Sequence, residues 1–414
     1  MNLTTLRTAV LRSIPFAFVA FTAACAIDDG APTTTMTDDE IRVAPNIRVC
    51  NDGNEVQCHA RVLVNEYGDI RTNATPAGFS PAQLRAFYGI SSMGSTSTTV
   101  AIVDSNGYPN ALRDLQMYRS TFGLPAIAAC SSGTHPCLAV VNQNGAASPL
   151  PATNVGWDQE TALDLDMVSA MCPNCNILLI QGTSASFANL ATAANTAASS
   201  TAAGSRPVAI SNSYGGGEAG ATSLSASYTH PGITVTASSG DAGFQAGPQF
   251  PATSPGVLAV GGTSVHMGAT PRETVWDTTN TEAAGSGCST VFAKPSWQHD
   301  TGCARRMEAD VSAVADPNTG VAVFAPTSAT ASSFQVFGGT SVAAPLIAGI
   351  IGSTGAGIDP QTVYARVAAN PGLVFDVTSG HNGTCSASTA YFCTAETGFD
   401  GPTGLGSPVG PGAL

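Results

Sequence analysis

The sequence predicts an α/β fold: a mostly parallel central sheet with helices on both faces. Short apolar strands alternate with helix-periodic stretches from about residue 99 onward, the order expected when each crossover returns the chain to a parallel sheet. Only 10% of the 414 residues are charged, and glycine is abundant at 44 residues, which favours a close-packed body with many turns over disorder. The length is ample for a sizeable core, and no fixed-period repeat is visible.

The elements follow in order. Ser80 to Tyr88 has a serine cap with proline at the first helical position, which predicts a short helix. Thr99 to Asp104 is an apolar strand and Ala111 to Phe122 is helix-periodic. A helix is expected over Asp158 to Met171, and after a proline turn a strand over Asn176 to Ile180. An alanine-rich helix covers Phe187 to Ala198, and buried strands are expected at Pro207 to Ser211, Ile233 to Ser238 and Val257 to Val260. Working sites in such sheets lie beyond the carboxyl ends of the strands. Three polar clusters fall there: Asp104 to Gly107, Ser211 to Glu218, and Ser239 to Gly243. The glycines of the second would let a peptide backbone approach.

Ahead of this body, Arg7 and Arg12 precede an apolar run from Ile14 to Ala24, too short for a spanning helix and typical of an export signal over residues 1–24. Thr22-Ala23-Ala24-Cys25 resembles a bacterial lipoprotein box, with Cys25 as a candidate lipid anchor and ordinary secretory cleavage as the alternative. Residues 25–76 are expected to be a tether and a short N-terminal appendage without its own core, and residues 77–414 the main domain. Setting Cys25 aside, ten cysteines fall into sequence-adjacent couples: Cys50/Cys58, Cys130/Cys137, Cys172/Cys175, Cys288/Cys303 and Cys385/Cys393. In an exported chain an even set reads as disulfides, local pairing being the simplest. For Cys172-Pro-Asn-Cys175 a redox or metal pair is the alternative. A net charge of −13 argues against nucleic acid and anionic lipid as partners.

One stretch concentrates the chemistry. Gly338-Gly339-Thr340-Ser341 forms a tight turn into an apolar helical run containing Pro345. Ser341 thus falls at a helix N-terminus, where free N–H groups and the dipole favour negative charge on a nearby oxygen. A plain helix cap is the bland reading, but the string G-T-S-x-A-x-P resembles the nucleophile motif of the subtilisin-like clan of serine peptidases. A nucleophilic serine needs a base. The six histidines, His59, His135, His230, His266, His299 and His381, mostly sit beside Pro, Gly or Cys and are expected to be surface or turn residues. Glu160 and Asp164, four apart, share a helical face instead. Like charges at that spacing raise one pKa and favour a shared proton, the condition for a carboxylate base.

Glu-x-x-x-Asp, Ser-Gly-Asp-x-Gly and Gly-Thr-Ser-x-x-x-Pro, in that order, resemble the sedolisins, the serine-carboxyl peptidases. The likeness runs from about Phe79 to Pro408 and implies a subtilisin-like three-layer fold. By resemblance Ser341 is the nucleophile, Glu160 the general base, Asp164 its orienting partner and Asp241 the oxyanion donor, protonated in acid. Asp104 matches a strand-end position expected to be structural or cleft-lining. Asp376-Val377 and Glu396-x-Gly398-x-Asp400 resemble the family's single calcium site, Glu396 standing where glycine is usual and offering its carbonyl. The fifty-odd residues ahead of the domain leave no room for the family's folded pro-region. The resemblance implies an exported, monomeric, acid-acting endopeptidase on protein or peptide substrates, cell-surface or secreted. The alternatives are a catalytically silent surface-anchored binding protein, and a peptidase with a histidine base whose activity rises toward pH 8 or so.

Overall fold

The computed structural model describes residues 44–50 and 53–414. The signal, Cys25 and nearly all of the tether lie outside the described residues.

Seven parallel strands form the body of the main sheet. In spatial order they are Ala128–Ala129, Cys137–Asn142, Asn176–Gly182, Thr99–Ser105, Pro207–Asn212, Thr234–Ser238 and Val257–Val265. Glu273–Val275 closes one edge antiparallel, and Val311–Val314 runs parallel beside Val257–Val265. The strands are buried along nearly their whole length, as sheets covered on both faces require, which is why they read as continuous apolar runs.

Chain order reverses at Thr99–Ser105: one neighbour is Asn176–Gly182 and the other Pro207–Asn212. A crevice opens at such a switch point beyond the carboxyl ends, and all three polar clusters expected from the sequence converge there. Helices surround the sheet. Val155–Met171 and Thr340–Thr354 pack closely against each other over the strands. The first begins a turn earlier than the sequence predicts because Asn154 caps it, its side chain accepting from Trp157 N–H. The capped helix foreseen near residue 80 spans Pro81–Phe87, with a capping box between Ser80 and Gln83.

The segment expected as an appendage is woven into the body. Asn46–Arg48 pairs with Arg61–Leu63, which pairs in turn with Ala331–Gly338 of a long hairpin completed by Val321–Ser328. Gln57–Cys58 pairs with Tyr214–Gly215, and Cys50, Val56, Cys58, Ala60 and Val62 join the main core. All five cysteine couples are closed as local disulfides. Among the described residues no helix is long and apolar enough to cross a membrane.

Candidate active site

Thr340–Thr354 is a mostly apolar helix buried from Thr340 to Ser353, and its entry fixes the site. Gly339 precedes it at φ +95°, where a Cβ would lie 2.1 Å from the carbonyl oxygen of His59 and 2.5 Å from Asp241 Oδ2, so only glycine fits. The Thr340 N–H (2.8 Å) and hydroxyl (2.9 Å) both donate to Asp241 Oδ1. Ser341 follows in the first turn, where N–H groups lack intrahelical acceptors. Its N–H donates to the His59 carbonyl at 2.9 Å, and its hydroxyl to the Ser213 carbonyl at 3.1 Å.

Glu160 and Asp164 lie on the packed side of their helix, facing this turn. Ser341, Glu160, Asp164 and Asp104 are fully buried and Asp241 is 3% exposed. Burial pushes Glu160 well above the ordinary carboxyl range, with Asp164 and Asp104 adding repulsion; the neighbouring Ser341 hydroxyl works the other way. Asp164 is raised by burial and by Asp104, and eased by Ser213 and Glu160. Its Oδ1 accepts from Ser213 Oγ at 2.8 Å. Asp164 Oδ2 and both Glu160 oxygens meet no donor among the described residues. One proton held between the two carboxyls satisfies both and keeps one negative charge off a dry site.

Asp241 is pushed up to about 6 by burial, against the pull of Thr340 and Arg61. Its buried Oδ2 has no partner among the described residues and faces the space beside Gly339. Asp104, raised to about 7 by burial, sits within this carboxyl group rather than apart from it.

His59 corrects the sequence reading. It is not a surface or turn histidine but 4% exposed, with Nδ1 2.7 Å from Ser238 Oγ and Nε2 2.9 Å from Gln249 Oε1. Burial lowers its pKa to about 4. With both ring nitrogens engaged, neither nitrogen of His59 is free to take the Ser341 proton. The partners lie 179 and 190 positions away, so no local pattern marked this residue. The one sequence cue was Cys58 beside it. The Cys50–Cys58 bridge lies against Glu160, the two sulfurs and a carboxylate oxygen falling within 4.8 Å of one another.

Near the C-terminus, Asp400 accepts from Thr403 N–H and hydroxyl at 2.9 and 2.8 Å and from Glu396 N–H at 3.1 Å. Asp376 accepts from Gly398 N–H at 2.9 Å, leaving a buried Oδ1 with no partner among the described residues. Val377 is buried and the Glu396 side chain exposed. Two carboxyls near each other, one with an orphaned oxygen, suit a hard cation completed by backbone carbonyls.

A serine hydroxyl at a buried helix N-terminus, flanked by carboxyls at the switch point of a parallel sheet, defines a subtilisin-like α/β protein with a serine–carboxyl site. Residues 133–359 match the subtilase family model. The chain belongs to the subtilase family, and within it the likeness is to the sedolisins. Sedolisin of Pseudomonas sp. (strain 101) is 29% identical over 394 residues, covering 86% of this chain and 64% of that protein. Kumamolisin of Bacillus sp. (strain MN-32) is 30% identical over 376 residues, covering 82% and 63%. The chain thus spans somewhat under two thirds of these relatives' length. A solved Pseudomonas sedolisin, described as a serine-carboxyl proteinase complexed with two molecules of pseudo-iodotyrostatin, superposes with a TM-score of 0.67 at 27% identity, covering 81% of this chain and 96% of that one.

Proposed function

We propose that this chain is an exported, acid-acting serine-carboxyl endopeptidase that cleaves protein or peptide substrates through an acyl-enzyme on Ser341. The carrying observation is the convergence of Ser341 with the Glu160–Asp164 pair and Asp241, while both nitrogens of His59 are engaged by Ser238 and Gln249. Ser341 Oγ attacks the substrate carbonyl carbon as its proton passes to Glu160, which the proton shared with Asp164 orients. The developing oxyanion is held by the Ser341 N–H and by Asp241 Oδ2, a donor only while protonated. Glu160 then returns the proton to the leaving amine, and water hydrolyses the ester by the reverse relay. The Glu160–Asp164 pair holds one proton and one negative charge between its two carboxyls, so an acceptor oxygen remains available in acid. Asp241, near 6, loses its proton toward neutrality and activity fades there.

Calcium fits the C-terminal cluster: the carboxylates of Asp376 and Asp400 with carbonyls of Val377, Glu396 and Gly398 would hold it, and the ion would neutralise the paired acids and fix the loop. The disulfide-rich body suits an extracellular setting, and attachment through Cys25 and a monomeric state belong to the same reading. Hydrolysis of a denatured protein at about pH 3–5, the range of carboxyl titration, should vanish in Ser341→Ala. Turnover that survives that substitution sinks the proposal.

A further inference from the structure

A cavity of about 790 Å³, the size of a pocket for a small organic ligand, is lined by none of the residues of the serine–carboxyl site. One wall is the helix Pro360–Ala369, whose Gln361, Tyr364, Ala365 and Ala368 share a face by their spacing. Ala365 and Ala368 are exposed, so small side chains keep the opening clear. Trp297 and Phe399 flank Tyr364, with ring centroids 4.7 and 6.2 Å from it. Tyr391 completes the aromatic lining.

Two of these rings are pinned through their hydroxyls. That of Tyr364 donates to Asp310 Oδ1 at 2.9 Å. That of Tyr391 accepts from Cys303 N–H at 2.7 Å and donates to Asp300 Oδ2 at 2.6 Å; a Cβ on Gly302 would come within 2.5 Å of the same ring. Asp300 itself lines the cavity, its side chain only 3% exposed. Its Oδ2 lies 2.9 Å from Lys294 Nζ, while its buried Oδ1 meets no donor among the described residues. An acceptor left dry in this way costs stability until a donor reaches it. Charge on the lining is lopsided. Asp300, Asp376 and Glu396 contribute carboxyls, no Lys or Arg among the described residues borders the space, and His299 stands exposed at the rim. Asp376 is left to the calcium site. The Glu396 side chain is exposed and has no basic partner among the described residues.

Those carboxyls repel an anion, and a ligand without a donor would leave Asp300 Oδ1 unanswered. Aromatic faces receive flat apolar groups and cations alike. We propose that the cavity binds an arylalkyl ammonium ion. Its flat body lies against Trp297, Tyr364 and Phe399, its ammonium donates to Asp300 Oδ1, and Glu396 adds negative charge at the rim. The site takes no part in the cleavage chemistry, so it stands whether or not Ser341 is a nucleophile.

The test is a calorimetric titration of the full chain carrying Ser341→Ala, which prevents self-digestion, in calcium-containing buffer at about pH 7, above the carboxyl range. The probes are naphthylmethylammonium and naphthylmethanol, alike in shape and different in charge. The ammonium should saturate a single site and bind at least about tenfold tighter than the alcohol, as a desolvated cation–π contact with a charge-assisted hydrogen bond implies. Ala365→Phe fills the opening from an exposed position and should abolish that saturation. Glu396→Lys should weaken the ammonium about fivefold and leave the alcohol unchanged, a split that general disturbance of the fold would not give. Equal affinity for the two probes, or no saturation by about millimolar concentration, overturns the inference. So does ammonium binding indifferent to Ala365→Phe or to Glu396→Lys.

Discussion

Replacing Asp104 by asparagine should stabilise the protein at neutral pH and do nothing in acid. Asp104 is fully buried, neither of its oxygens meets a donor among the described residues, and burial carries its pKa from 3.8 to about 7. The folded state therefore keeps a proton that the unfolded chain releases above about pH 4. Stability contributed by that proton is fully present below the unfolded value and is lost as pH rises toward about 7. Holding the carboxyl across that interval amounts to about 4 kcal/mol at 1.36 kcal/mol per pH unit. Asparagine does not ionise, and its amide can donate to the Glu160 or Asp164 oxygens that lack partners. Urea unfolding on a Ser341→Ala background, which prevents self-digestion, measures the effect at pH 3, 5 and 7.5. The variant should match its parent at pH 3 and exceed it by up to about 4 kcal/mol at pH 7.5. A constant difference at all three values, or a loss at pH 7.5, would refute the account of the carboxyl group. Because Asp104 also raises Glu160, the same substitution in the active chain should move the acid limb of the activity profile to lower pH.

Two further substitutions bear on the site and its surroundings. Asp241→Ala should lower kcat about 10²–10³-fold, the usual loss of an oxyanion donor. Asp241→Asn should lose far less: its oxygen can still accept from Thr340 while its amide stands where the unpartnered Oδ2 was, and its activity should persist above about pH 6, where the parent declines. Chelation should lower the Tm of the parent and added calcium restore it, whereas Asp400→Asn should make Tm indifferent to calcium. A parent Tm untouched by chelator removes the calcium proposal.

The sequence discloses the sheet because strands buried on both faces are continuous apolar runs, and Thr99–Ser105 or Asn176–Gly182 need no tertiary information to be seen. Glu160 and Asp164 are visible for a similar reason, since helical spacing alone puts them on one face. Strands of two or three residues carry no such signature. Gln57–Cys58 owes its conformation to a partner more than a hundred positions away, Arg61–Leu63 is placed by Phe337–Gly338 as well as by nearby Asn46–Arg48, and the fate of His59 depends on Ser238 and Gln249. Asp104 was visible as a strand-end acid, but its membership of the carboxyl cluster is a matter of how three chain segments meet. Gly156 weakens the periodic pattern at the start of the Glu160 helix, which hides the Asn154 cap in the sequence.

None of the five disulfides spans more than 15 residues. In an oxidising compartment each can therefore close between neighbouring cysteines before distant parts of the chain come near enough to compete. Local pairing of this kind needs no distant part of the tertiary structure to bring the sulfurs together. A refolding protocol can oxidise first and let the body assemble afterwards.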